Sequence, residues 1–125
     1  MSHVQRTLKE LRKKGMPCAV VEKWNHHTKC RQDLFGIIDV IALDHTTGVL
    51  GIQVCGADFR SHIRKITIEK AEETRDWLLT PGSRLEVWGW RKLKLKRGGK
   101  ALRWKCRVQE ITLSDIVITK ECDND

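Results

Sequence analysis

No apolar run in this chain approaches the roughly 18 residues that a membrane-crossing helix requires. The opening Met1-Ser2-His3-Val4-Gln5-Arg6 does not begin a secretion signal. Both absences argue against a membrane protein and lead to the expectation of a cytoplasmic one. No CxxC pair is present, and the five cysteines (18, 30, 55, 106 and 122) are odd in number and irregular in spacing. A disulfide framework is therefore not expected, and reduced thiols acting as small apolar residues are. There is no internal repeat and no low-complexity linker, so the 125 residues read as one domain, 1–125, with a single core. Acids are in deficit: Asp and Glu number 16 against 24 Lys and Arg, a net charge of +8. With a pI near 9.5, that balance favours a polyanionic partner, nucleic acid ahead of an anionic membrane surface.

What the chain does contain begins with a helix. Ser2 as N-cap and an apolar stripe of Val4, Leu8 and Leu11 predict it over 2–14, and Gly15 and Pro17 stop it. Glu10 lies off that stripe, where a solvated acid would stand. Residues 18–24 predict a strand, apolar at its start and polar at its end. Asn25 to Asp33 then reads as a polar, basic loop. His26, His27 and Cys30 are zinc-type ligands, but no fourth ligand stands at a recognisable spacing. The loop is better read as one whose Lys29 and Arg31 meet phosphates. Asp33 is either a site acid or a turn residue at the entry to Leu34.

Residues 35–43 and 49–55, joined by the turn Asp44–Gly48, predict a pair of central strands covered on both faces. Each carries one polar exception, Asp39 in the first and Gln53 in the second. Burying such a group without a partner costs roughly 2–7 kcal/mol. Either backbone amides satisfy the acid, or the pair has a use. A carboxylate facing an oxygen ligand on the next strand is one way to hold a hard divalent cation beside a phosphate.

Gly36-Ile37-Ile38-Asp39, a turn, and a second strand ending Gln53-Val54-Cys55 resemble the core of the PD-(D/E)XK nuclease superfamily, nearest to its small Holliday-junction resolvase-like and phage-encoded members. The resemblance covers about residues 5–90. It implies an α/β fold: a restriction-endonuclease-like core over about 2–90, a mixed central sheet flanked by helices. It also implies that Asp39 binds Mg²⁺ or Mn²⁺, with Gln53 standing where the family has a second acid and Cys55 where it has a lysine. Gln offers a carbonyl oxygen without charge, and Cys cannot be an ammonium. Glu10 or Asp33 would complete the metal shell. Lys65, Arg64 or Lys23 would supply the missing cation, since some members carry the lysine on the element after the second strand. The implied catalytic set is Asp39, Gln53, Cys55 and Lys65, and the implied metal set Asp39, Gln53, Glu10 and Asp33. For a phage-encoded member the compartment is the host cytoplasm, and a homodimer suits a two-stranded substrate.

Beyond the second strand, Gly56 to Lys65 reads as a basic loop or short helix, with Arg60, His62, Arg64 and Lys65. The spacing of Ile68, Ala71, Thr74, Arg75 and Leu78 predicts a helix over about 68–79, ended by Thr80-Pro81-Gly82. A basic β-hairpin follows over about 85–113. Leu85, Val87, Leu93 and Leu95 alternate on one arm, and Leu102, Trp104, Cys106 and Val108 on the other, around Arg97-Gly98-Gly99-Lys100. Assigning those to the core leaves Trp88, Trp90, Lys92, Lys94, Lys96, Arg103, Lys105 and Arg107 on the opposite face. Like charges opposed across a hairpin are destabilising, a phosphate backbone would relieve them, and the indoles would stack on bases or sugars. The alternative is a solvated edge ribbon kept soluble by lysines. The tail, 120–125, is acidic and expected to fray.

Three functions fit this pattern. One is a metal-dependent endonuclease hydrolysing DNA phosphodiesters, on branched or structured DNA. Another is a nuclease-fold DNA-binding protein without catalysis, since Gln53 and Cys55 remove charge from the site. A third is an RNA-binding or phage accessory module using only the basic ribbon. They divide at the metal site.

Overall fold

In the computed structural model, which describes residues 1–117, the apolar stripe of the first helix settles on a sheet. Helix α1 spans His3–Lys13, and the Ser2 hydroxyl caps it by accepting the Gln5 N–H at 3.1 Å. Leu8 and Leu11 are buried against Val40, Ala42, Leu50 and Ile52. Five short strands follow: β1 (Cys18–Val20), β2 (Lys23–Asn25), β3 (Cys30–Gln32), β4 (Val40–Asp44) and β5 (Gly48–Cys55). Helix α2 (Phe59–Arg64), a π-helical turn (Lys65–Glu69) and α3 (Ala71–Leu79) lead to the long strands β6 (Ser83–Lys94) and β7 (Leu102–Ile111). No helix among the described residues is long and apolar enough to cross a membrane. The tail 120–125 and Cys122 lie outside the described residues.

One sheet runs β1-β4-β5-β6-β7, with β2 and β3 forming a separate pair. β5 and β6 are parallel and every other neighbouring pair is antiparallel. Parallel neighbours need a crossover, and the helical stretch from α2 to α3 supplies it. Helix α1 covers one face of the sheet, while Phe59, Ile66 and Trp77 of the crossover pack on the other with Leu85 and Val87. The α/β class and the mixed sheet flanked by helices are as expected.

Three boundaries differ from expectation. The strand expected over 18–24 breaks after Val20: the Val21 N–H bonds to the Asp39 carbonyl at 2.9 Å, and the chain from Glu22 leaves the sheet to pair β2 with β3. Polar Glu22 and Lys23 have no apolar layer to enter. The run from Phe35 is not extended either, since residues 34–38 fold into a tight turn and Asp39 precedes β4. Ile37 and Ile38 are fully buried there. An apolar run does not distinguish a strand from a buried turn. The helix expected over about 68–79 begins at Ala71, behind the π-helical turn, and of the two readings of 56–65 the short helix forms, at Phe59–Arg64.

The largest correction concerns the hairpin. Lys94 pairs with Leu102, Lys92 with Trp104, Trp90 with Cys106 and Trp88 with Val108. Directly opposed residues share a face, so Trp88, Trp90, Lys92 and Lys94 do not share theirs with Arg103, Lys105 and Arg107. The Leu95 N–H bonds to the Ala101 carbonyl at 3.0 Å, which leaves 96–100 as the loop. That is one residue longer than a turn at 97–100, and one residue of slip turns β7 over. Moreover, Trp88 and Trp90 are only 2% and 8% exposed, packed beneath α1. The Trp90 indole N–H donates to Thr7 Oγ1 at 2.9 Å and that of Trp88 to Glu86 at 2.9 Å. They are core residues and offer no stacking surface. β6 is an interior strand, and of the two hairpin arms only β7 is an edge.

On the crossover side, Gly89 admits the Phe59 ring so closely that a Cβ would lie 2.4 Å from Phe59 Cδ1. Phe59 is itself only 4% exposed and has no room to retreat. Gly89→Ala is therefore expected to destabilise the protein by about 1–3 kcal/mol, seen as a lower urea midpoint. An unchanged midpoint would show that α2 is not pressed on β6.

Candidate active site

Three breaks in the regular structure deliver polar groups to one open cleft of about 840 Å³. The exit from β1 brings Glu22, the loop before β4 brings Asp33 and Asp39, and the crossover brings His62 and Lys65. At its floor lies Gln53 of β5, fully buried. Gln53 Nε2 donates toward Asp33 Oδ2 at 3.0 Å, the Ile37 carbonyl at 3.0 Å and Asp39 Oδ2 at 3.1 Å. Its Oε1 accepts from Lys65 Nζ at 3.1 Å and faces His62 Nδ1 at 3.0 Å. These partners fix the amide's direction, because reversing it would set its NH₂ against an ammonium and its oxygen against three acceptors. His62 Nε2 is in turn 2.9 Å from Asp58 Oδ2.

Asp39 is 6% exposed and also accepts the Val54 N–H at 2.8 Å. Burial first, and then its contact with Asp33, push its carboxyl up to about 8, against the pull of Val54. Burial would raise Asp33 as well, but hydrogen bonds from Asp39, Gln53 and Lys65 outweigh it and bring that carboxyl down to about 2. The two acids thus hold one proton between them, on Asp39, while Lys65 Nζ sits 2.9 Å from Asp33 Oδ2. Arg31 Nη1 meets Glu22 Oε1 at 3.1 Å.

Glu22, Asp33 and Asp39 each offer an oxygen, and these lie within 4.8 Å of one another. An all-carboxylate set suits a hard cation such as Mg²⁺ or Mn²⁺. Two expected ligands do not join it. Gln53 turns its N–H groups, not its oxygen, toward the acids. Glu10 lines a different cleft, beneath α1 with Lys14 and Trp88. Glu22 stands where Glu10 was expected, and the sequence reading passed it over as the polar end of a strand. Its one signal is an acid directly following the unbroken apolar run Cys18-Ala19-Val20-Val21. Cys55 shares the crossover face of β5 with Gln53 but is buried among Phe59 and Ile66, and burial pushes its thiol up to about 11. It also lies near Asp58 and His62. His26, His27 and Cys30 belong to neither grouping of metal-type ligands found among the described residues.

The basic residues separate into surfaces. Arg31 lines the cleft, and Lys29, at φ 53°, stands in the exposed loop between β2 and β3. Arg60 and Arg64 lie along the far side of α2 beside Gln109 of β7. Arg107 lays its guanidinium 4.1 Å above the Phe59 ring, and the strand register sets Arg103 and Lys105 on that same face. Lys92 lies on the other face, 5.1 Å from the Trp104 ring, with Lys94 beyond it, and Lys96 in the loop. Lys23 is exposed on β2. Comparison of the chain with protein-family models, with curated proteins and with solved structures finds no match.

Asp39 keeps its proton in the folded protein up to about pH 8 but releases it near 3.8 when unfolded. The stability that proton contributes is fully present below pH 3.8 and is lost as pH rises through 8. Asp39→Asn imitates the protonated acid, accepting from Val54 and donating to Asp33. Its urea midpoint relative to wild type is expected to climb between pH 4 and 8 and then level off. A constant difference across that range would mean that Asp39 is ionised in the native protein.

Proposed function

We propose that this chain is a metal-dependent endonuclease of the PD-(D/E)XK type that hydrolyses DNA phosphodiesters, on branched or structured DNA. One observation carries the reading: three carboxylates and the Lys65 ammonium meet in one open cleft, the lysine arriving from the crossover and not from the strand position held by Cys55. Glu22, Asp33 and Asp39 would hold a Mg²⁺ or Mn²⁺ ion, which would supply charge neutralisation and an acidified water there. Lys65, steered by Asp33 and the Gln53 carbonyl, offers its third N–H to a phosphate oxygen at the cleft mouth. Arg31 adds a second cation there. Arg60, Arg64, Arg103, Lys105 and Arg107 give the backbone a basic path along α2 and β7, a salt-dependent contribution to affinity.

A DNA-binding protein on the same fold without catalysis is favoured by one feature. The N–H groups of Gln53 already occupy Asp33 and Asp39 oxygens that a cation would take. Cleavage of labelled single-stranded, duplex and four-way-junction DNA in Mg²⁺, Mn²⁺ and EDTA separates the two. Cutting is expected in metal only, and Asp39→Ala and Lys65→Ala are each expected to reduce it by about 10²-fold or more. Salt-sensitive binding with no cutting in either metal would establish the non-catalytic protein instead.

A further inference from the structure

Residues 34–37 close a two-residue turn: the Ile37 N–H reaches the Leu34 carbonyl at 3.1 Å, and φ is positive at both central residues, 55° at Phe35 and 76° at Gly36. Such turns favour Asn, Asp or Gly at the first of these positions, because a bulky side chain crowds the backbone there. A phenylalanine in the left-handed region is therefore a strained choice. Burial does not compensate, since Phe35 is 60% exposed. The Lys70 side chain lies over the other central residue, its Cε 3.0 Å from where a Cβ on Gly36 would stand. The ring stands at the lip of the cleft that holds Asp33 and Asp39, and it also walls a neighbouring notch of about 190 Å³ with Trp77, whose rim carries Glu73, Asp76 and Thr80.

An aromatic face held out at conformational cost beside this cleft, in a chain of net charge +8, matches a nucleobase. We infer that Phe35 stacks on an unpaired DNA base next to the bound phosphate, with Trp77 as the second wall of the notch that receives it. Inside a duplex both faces of a base are covered by its neighbours, so the ring gains a partner only where the stack is open. The preferred substrate is accordingly single-stranded or splayed DNA. This inference rests on the nucleic-acid function proposed above and adds the substrate class.

The test is fluorescence anisotropy in EDTA, where no cutting depletes the DNA, with a labelled single strand, a forked duplex and a plain duplex. Phe35→Asn, which suits the turn, is expected to bind the single strand and the fork about tenfold more weakly and the plain duplex unchanged. Its Tm is expected not to fall, and Phe35→Tyr restores binding. A 2-aminopurine at the fork is expected to be quenched by wild type and not by Phe35→Asn. Equal affinity of wild type and Phe35→Asn for all three DNAs overturns the inference and leaves the proposed function standing. An equal loss on all three also overturns it, since Phe35 would then be a general contact. Wild type that binds none of them removes the proposed function and the inference together.

Discussion

A fully buried amide on an interior strand must find partners for every polar atom it carries, and the arrangement around Gln53 follows from that demand. Its nitrogen gathers the loop before β4, and its oxygen gathers the crossover, so two segments that share no strand pairing are tied to one side chain. In a low-dielectric interior such a network is strong when complete and costly when one member is missing. Truncating Gln53 would leave the Ile37 carbonyl without a donor, at about 1–3 kcal/mol for an unsatisfied group, and would take one donor each from Asp33 and Asp39, which keep Lys65 and the Val54 N–H. The cleft is therefore a consequence of how β5 satisfies itself.

The same logic explains how three acids stand together in a partly buried space. Each has its own counterpart: Arg31 for Glu22, Lys65 for Asp33, and a retained proton for Asp39. No carboxylate is left as an uncompensated buried charge, the arrangement that desolvation penalises most heavily. The two cations reach the cleft from separate elements, Arg31 from β3 and Lys65 from the crossover, and only the proton belongs to the acid it neutralises. A cation entering the cluster would compete with these three partners.

Much of this was legible in the chain because polar residues inside apolar runs are conspicuous. Asp39 and Gln53 were identified that way, and the turn between β4 and β5 lies where Asp44–Gly48 indicated. Lys65 was legible as one of a few cations able to replace what Cys55 lacks. Glu22 and His62 were not, since each sits in a stretch where polar residues are ordinary and only the fold brings it to Gln53 or Asp39. The amide direction of Gln53 was also out of reach, because it depends on partners up to 20 residues away. The hairpin failed for a different reason. Alternation assigns faces within one strand, but the relation between two strands rests on loop length, and Lys96–Lys100 gives no clear signal of it.

The order of strands along the chain has a further meaning during synthesis. β5, eight residues long and almost wholly apolar, pairs with β4 as soon as both have left the ribosome, yet its other edge waits for β6. Residues 56–82 must be made first, which at ordinary elongation rates takes on the order of a few seconds. Throughout that interval the nascent chain carries an open, apolar strand edge, the kind of surface that recruits another strand. The segment that emerges during that interval carries five Lys and Arg against five Asp and Glu, so no net charge shields the exposed edge and only the arrival of β6 closes it.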